Sequence, residues 1–292
     1  MLILASAGPL GWLIDPFTGS VTMQRALIAG TFAAIACGLV GTWVVLRGMT
    51  FLGDALAHGV LPGLALATLL GFSTILGAFA SAGVMVVGIT LVGRRARLGQ
   101  DAAIGLLFVG MLALGVLIVS RSRSFAGDLT SFLFGGITSV GTGDLVLGAV
   151  VAAITVVAVV VGYRAFLALA FNESAARLMG LRPGLTHALL LALVTATIVA
   201  SFRTVGTLLV FALITAPAAA AIQLVRRVIW VLITAVVLAQ VSVVAGLLLS
   251  WYHRLAAGAA MAVSAVALFI LAMAYSELSA AIRARRPAPA PT

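Results

Sequence analysis

The chain has 292 residues, of which 63% are hydrophobic and only 8% charged, with a mean hydropathy of +1.28. A soluble domain carries about three times that share of charge, so a globule in water is excluded and a lipid bilayer is the solvent that fits. The formal charge of +10 would suit nucleic acid, but the basic residues stand beside apolar stretches without interleaved aromatics, as membrane-flanking charge does, and no nucleic-acid partner is expected.

All seventeen basic residues are arginine. A P-loop needs a lysine on the β- and γ-phosphates, so this chain holds no such site, and any ATP-driven work requires a partner subunit. Cys37 is the single cysteine, which leaves no intrachain disulfide and no cysteine-based metal site.

In chain order, residues 1–22 lack the charged start and cleavage site of a signal peptide. Broken by Gly8 and Pro9, they read as an interfacial segment. A span needs about 20 apolar residues, and nine stretches meet that need: 25–46, 54–72, 74–93, 102–120, 144–163, 184–201, 204–222, 228–249 and 256–275. The expected fold is all-α, a polytopic transmembrane helical bundle over 23–277 with eight or nine spans and one broken helix. Twelve arginines fall on one set of connections (Arg47, Arg94, Arg95, Arg97, Arg164, Arg177, Arg182, Arg226, Arg227, Arg283, Arg285, Arg286) and five on the other. The richer side is the cytoplasmic one by the positive-inside rule, which places the N-terminus outside.

The second span is the least regular. Asp54 and His58 stand four apart, hence on one helical face, and ionisable groups at membrane depth are costly enough to mark function. A carboxylate and an imidazole so placed suit a divalent transition metal. The competing reading has Asp54 capping the helix and His58 as a hydrogen-bonded core residue. Gly59 and Gly63 have the spacing of close helix approach, and Pro62 frees the carbonyl of His58, so this stretch suits a pathway wall. Thr215 and Pro217 form a second irregular point, which a simple packing kink also explains.

Two connections exceed simple turns. Residues 121–143 have the composition of a short re-entrant or interfacial helix. The other, about 165–183 on the cytoplasmic side, contains a short amphipathic helix. Asn172 is its expected cap, Glu173 and Arg177 are spaced as a pair, Phe171, Ala175 and Leu178 share a face, and Gly180 ends it. It either lies on lipid or docks a soluble partner. Residues 278–292, basic and then Pro/Ala-rich, form a disordered tail.

RGMTFLGDALAHGVLPGLALATLLG resembles the second-helix signature of zinc/manganese/iron-type ABC permeases, in which Gly-Asp, His and Leu-Pro-Gly recur at this spacing. SFLFGGITSV, FNESAARLMGLRPG and VGTLLVFALITAPAAAA are similar to three further segments of that family, in the same order. The resemblance implies a bacterial plasma-membrane permease importing Mn2+ or Zn2+ as substrate, with no permanently bound cofactor and no enzymatic activity of its own. It further implies Asp54 and His58 as metal ligands and the segment around 171–182 as the coupling element. Its partners would be two ATPase subunits, a second permease copy and an external metal-binding protein. Gly136, Arg203 and the stretch from Trp251 to Ala256 depart from the family pattern, at the outer entrance. An ion-coupled secondary metal transporter, and an ABC permease for a larger metal chelate, are the alternatives.

Overall fold

The computed structural model describes residues 11–95, 100–120, 140–171, 173–178 and 180–284. The regular elements among them are helices: α1 (Gly11–Gly19), α2 (Val21–Leu46), α3 (Phe51–Gly59), α4 (Leu61–Leu70), α5 (Thr74–Arg95), α6 (Gln100–Val119), α7 (Thr142–Phe171), α8 (Glu173–Leu178), α9 (Pro183–Val205), α10 (Thr207–Leu224), α11 (Val228–His253) and α12 (Ala257–Ala284). With α3 and α4 taken as one broken span, eight helices are long and apolar enough to cross a membrane, and Leu209–Leu224 is a shorter apolar ninth. The all-α, many-spanned expectation holds.

The axis of the bundle is α2, whose start is capped by the Ser20 hydroxyl accepting the Met23 N–H at 3.4 Å. It packs against α7, α9, α10 and α11, and 67% of its apolar window is buried, against 22% for α6 and α7. Ala34, Cys37, Val40 and Val44 are fully buried. Contact this close depends on Gly41: a methyl there would overlap the Ile214 carbonyl oxygen and stand 2.8 Å from its carbon. Small residues of this kind let membrane helices pack backbone to backbone. A second group joins α4, α5 and α6, while α3 lies between the two groups, touching α6 and α5 on one side and α9 and α10 on the other.

Several boundaries differ from the sequence reading, among them the start of α2 at Val21 and not 25 and the end of α11 at His253 and not 249. The second span begins at Phe51, three residues before the expected start at 54. The fifth helix continues from its expected end at 163 to Phe171, because Phe166 and Leu169 are buried and Phe166 lies on Trp43 with ring centroids 5.5 Å apart. The separate short helix expected within 165–183 is α8, Glu173–Leu178. The sixth and seventh spans divide at Gly206, whose φ of +85° favours glycine and ends α9, not at 202–203. The last helix persists to Ala284, seven residues into the stretch assigned to the tail.

Candidate metal-transfer site

The site begins in the corner between α2 and α3. The Arg47 N–H bonds the Trp43 carbonyl at 3.1 Å, Gly48 turns the chain with φ +67°, and the Met49 N–H returns to the Val44 carbonyl at 3.0 Å. The side chain of Met49 is 1% exposed. This is a glycine-terminated helix end closed by a buried apolar residue, and it fixes where α3 starts. Asp54 is therefore the fourth residue of α3, inside the helix and not its cap.

One turn on, His58 presents Nε2 to the Asp54 carboxylate, with 3.5 Å between Nε2 and Oδ1. That is longer than the 2.7–3.2 Å of an N–H···O hydrogen bond, so the two groups face one another without closing on each other. The His58 and Asp54 side chains keep 20% and 27% of their surface exposed. The other ring nitrogen of His58, Nδ1, is buried without a hydrogen-bond partner. The reading of His58 as a hydrogen-bonded core histidine is not what this geometry describes. From α6 the Phe108 ring meets the imidazole in a T-shaped contact, centroids 5.5 Å apart at 70°, and Phe51 meets Phe108 at 5.4 Å. Among the described residues no three His, Cys, Asp or Glu side chains converge, so Asp54 and His58 stand as a pair.

Just beyond the pair the helix breaks at Val60, and Pro62 is the second residue of α4. Proline has no N–H to offer the His58 carbonyl. The next carbonyl, that of Gly59, accepts the Ser81 hydroxyl from α5 at 2.7 Å. Gly59 and Gly63 also turn toward α5: a methyl on Gly59 would overlap the Met85 sulfur, and one on Gly63 the Gly77 carbonyl oxygen. Both glycines thus serve a close helix crossing beside the break. On the opposite flank α10 approaches α3, where a Cβ on Gly53 would lie 3.6 Å from Ile214 and 3.7 Å from Phe211. Thr215 spends its hydroxyl on the Phe211 carbonyl, at 2.9 Å, and Pro217 lies within α10 without ending it. The structure thus brings α10, which carries the second irregular stretch, against the helix that carries the pair.

The expected coupling residues form a separate group. Leu178 is 90% exposed at the end of α8, Arg177 is exposed beside it, and Ala176 is buried. Gly180, at φ +74°, closes the helix: its N–H meets the Arg177 carbonyl, and the Leu181 N–H meets that of Ala176, both at 3.1 Å. Asn172 and the side chains of Glu173 and Ala175 lie outside the described residues, as does the segment 121–139. A cleft between α2, α7 and α9 has Asp144 as its ionisable lining residue. That carboxylate accepts the Gly141 N–H at 3.1 Å, at the start of α7.

Phe108, Ser81 and the Arg47–His187 contact were not singled out from sequence. Ser81 was the legible one, as a hydroxyl within an apolar span; nothing marks Phe108 among its apolar neighbours.

A family model described as "ABC 3 transport family" matches residues 20–276. The chain is 34% identical to "Manganese transport system membrane protein MntC" of Listeria monocytogenes, over 87% of this chain and 90% of that one. It is also 34% identical to "Probable iron transport system membrane protein" of Haemophilus influenzae, over 91% and 98% respectively. Among solved structures, "PsaBC from Streptococcus pneumoniae in complex with Fab" superposes with a TM-score of 0.81 at 29% identity, covering 92% of this chain and 99% of that chain. The match across the whole bundle, with the broken second span inside it, makes this chain a member of the ABC 3 transport family: a multi-pass membrane permease subunit and not an enzyme.

Proposed function

We propose that the chain forms the membrane path of an ATP-driven importer for a divalent transition metal, that manganese is its cargo, and that Asp54 and His58 hold the ion in transit. The observation carrying this reading is the pair itself: one carboxylate oxygen and one imidazole nitrogen, 3.5 Å apart, on a half-buried helical face. An ion about 2.1 Å from each atom would subtend an angle of about 110° at the metal, an angle a small divalent cation accepts. Carboxylate suits manganese and imidazole suits the later metals; the names of the Listeria and Haemophilus relatives put manganese and iron ahead of zinc. Two protein ligands leave coordination incomplete, and water, backbone carbonyls near Pro62 or another chain complete it. An ion held this openly leaves quickly, as transport requires.

The energy source is a separate ATPase, since the chain has no lysine for a P-loop. Two ATPase subunits beneath a permease dimer, and a metal-binding protein delivering the ion from outside, complete the importer. The exposed Leu178 and Arg177 of α8 supply the ATPase contact.

The test is uptake of radiolabelled manganese by the reconstituted complex. Asp54→Asn and His58→Ala should each reduce uptake at limiting ion by about tenfold or more while the complex still assembles and hydrolyses ATP. The double variant should be no worse than either single one, because the two residues act as one site. Wild-type uptake by both single variants would refute the assignment.

A further inference from the structure

The segment that faces the ATPase in this reading and the helix that carries Asp54 are far apart in sequence, yet a side-chain contact joins their corners. Arg47, the residue ending α2, places Nη1 against Nδ1 of His187 on the second turn of α9. A guanidinium has donors only, so Nδ1 is the acceptor, the proton sits on Nε2, and His187 is neutral when the contact forms. Both side chains are partly buried.

What makes the contact more than a surface pairing is the stiffness on each side of it. From α8 the chain reaches α9 through the glycine-closed turn at Gly180. The Arg182 carbonyl then receives the N–H groups of Leu185 and Thr186 at 3.0 and 3.1 Å and the Thr186 hydroxyl at 3.2 Å. Pro183 opens α9 with its φ preset. His187 follows Leu178 by nine residues along this braced path. On the other side, Arg47 is held by its own N–H to Trp43, and the Gly48–Met49 corner locks the start of α3. Asp54 follows Arg47 by seven residues. The contact thus gives a displacement of α8 a side-chain route to α3, beside the direct packing of α9 against α2 and α3.

We propose that Arg47 and His187 form a positioning relay that transmits movement of the ATPase-facing segment to the helix bearing Asp54 and His58. The proposal rests on the importer reading above and adds to it which residues carry the coupling. Neither residue touches the ion; each acts by setting the corner from which α3 departs.

The experiment uses the complete importer in proteoliposomes, with radiolabelled manganese uptake and phosphate release measured in the same vesicles. His187→Ala should lower the manganese moved per ATP hydrolysed by about threefold or more, with ATP hydrolysis retained. His187→Asn places an amide oxygen near the position of Nδ1 and should restore most of that ratio, whereas His187→Leu, similar in bulk but without an acceptor, should not. An unchanged ratio in His187→Ala, or an Asn variant no better than the Leu variant, overturns the relay. Leu178→Asp is run in parallel. If it uncouples while His187→Ala does not, the relay is wrong and the docking role of α8 stands. If neither changes the ratio, both are wrong. Should His187→Ala fail to reach the membrane, Arg47→Leu removes the donor from the other side and is judged by the same ratio.

Discussion

Gly63→Ala asks one methyl group to enter the crossing of α4 and α5. Built on the backbone, that methyl overlaps the Gly77 carbonyl oxygen and stands 2.6 Å from Ser81 Cβ and 2.7 Å from the Gly77 carbonyl carbon. Carbon atoms rest at about 3.5–4.0 Å, so the helices must part by roughly 1 Å. Overpacking of this kind costs about 1–3 kcal/mol. The same movement stretches the 2.7 Å bond from Ser81 to the Gly59 carbonyl beyond hydrogen-bonding range, a further loss of about 1 kcal/mol. Alanine returns about 0.5–1 kcal/mol of helix preference, leaving a net loss of about 2 kcal/mol and a melting midpoint lower by roughly 4–8 °C. The assay is size-exclusion of the detergent-solubilised protein after stepwise heating. Gly110→Ala on α6 is the control, since its methyl meets nothing within 4 Å and should leave the midpoint level or slightly raised. A Gly63→Ala midpoint equal to that of Gly110→Ala would refute the reasoning, because the two substitutions differ only in what the methyl meets.

Two further outcomes concern the site and the orientation. Phe108→Ala removes the ring that packs on the His58 imidazole and should weaken apparent manganese affinity about fivefold, an aromatic contact being worth about 1 kcal/mol, with ATP hydrolysis unchanged; unaltered half-saturation of uptake would count against any role for that ring. Single cysteines at Arg226 and at Ser73, in a Cys37→Ala background, should respectively resist and accept an impermeant thiol reagent applied from outside, and the reverse pattern would invert the arginine-based topology.

The spans and the Asp54–His58 pair were legible for a simple reason: a bilayer penalises polar groups so heavily that their positions stand out in the sequence. Pro62 stood out for its missing N–H, and the structure sets Asp54 and His58 facing each other beside the break. What did not show were features that depend on which helices become neighbours. Phe108 is an ordinary apolar residue until α6 is laid against α3. Arg47 and His187 are 140 residues apart, and their meeting requires α2 and α9 to share an end. Helix limits slipped for related reasons: the fifth helix runs on to Phe171 because Phe166 finds Trp43, a tertiary contact no local pattern reveals. At Gly206 the break did have a local signal, a glycine, but it stands among residues apolar enough to blur it.

The burial of Cys37 has a practical side. The chain's single thiol sits on the central helix with no exposed surface, so a thiol-reactive dye reaches it only when α2 is uncovered by its neighbours. The native protein therefore carries its own reporter of bundle opening. Rates of dye attachment, read in detergent or in lipid without altering a residue, measure how often the core opens to let the dye in.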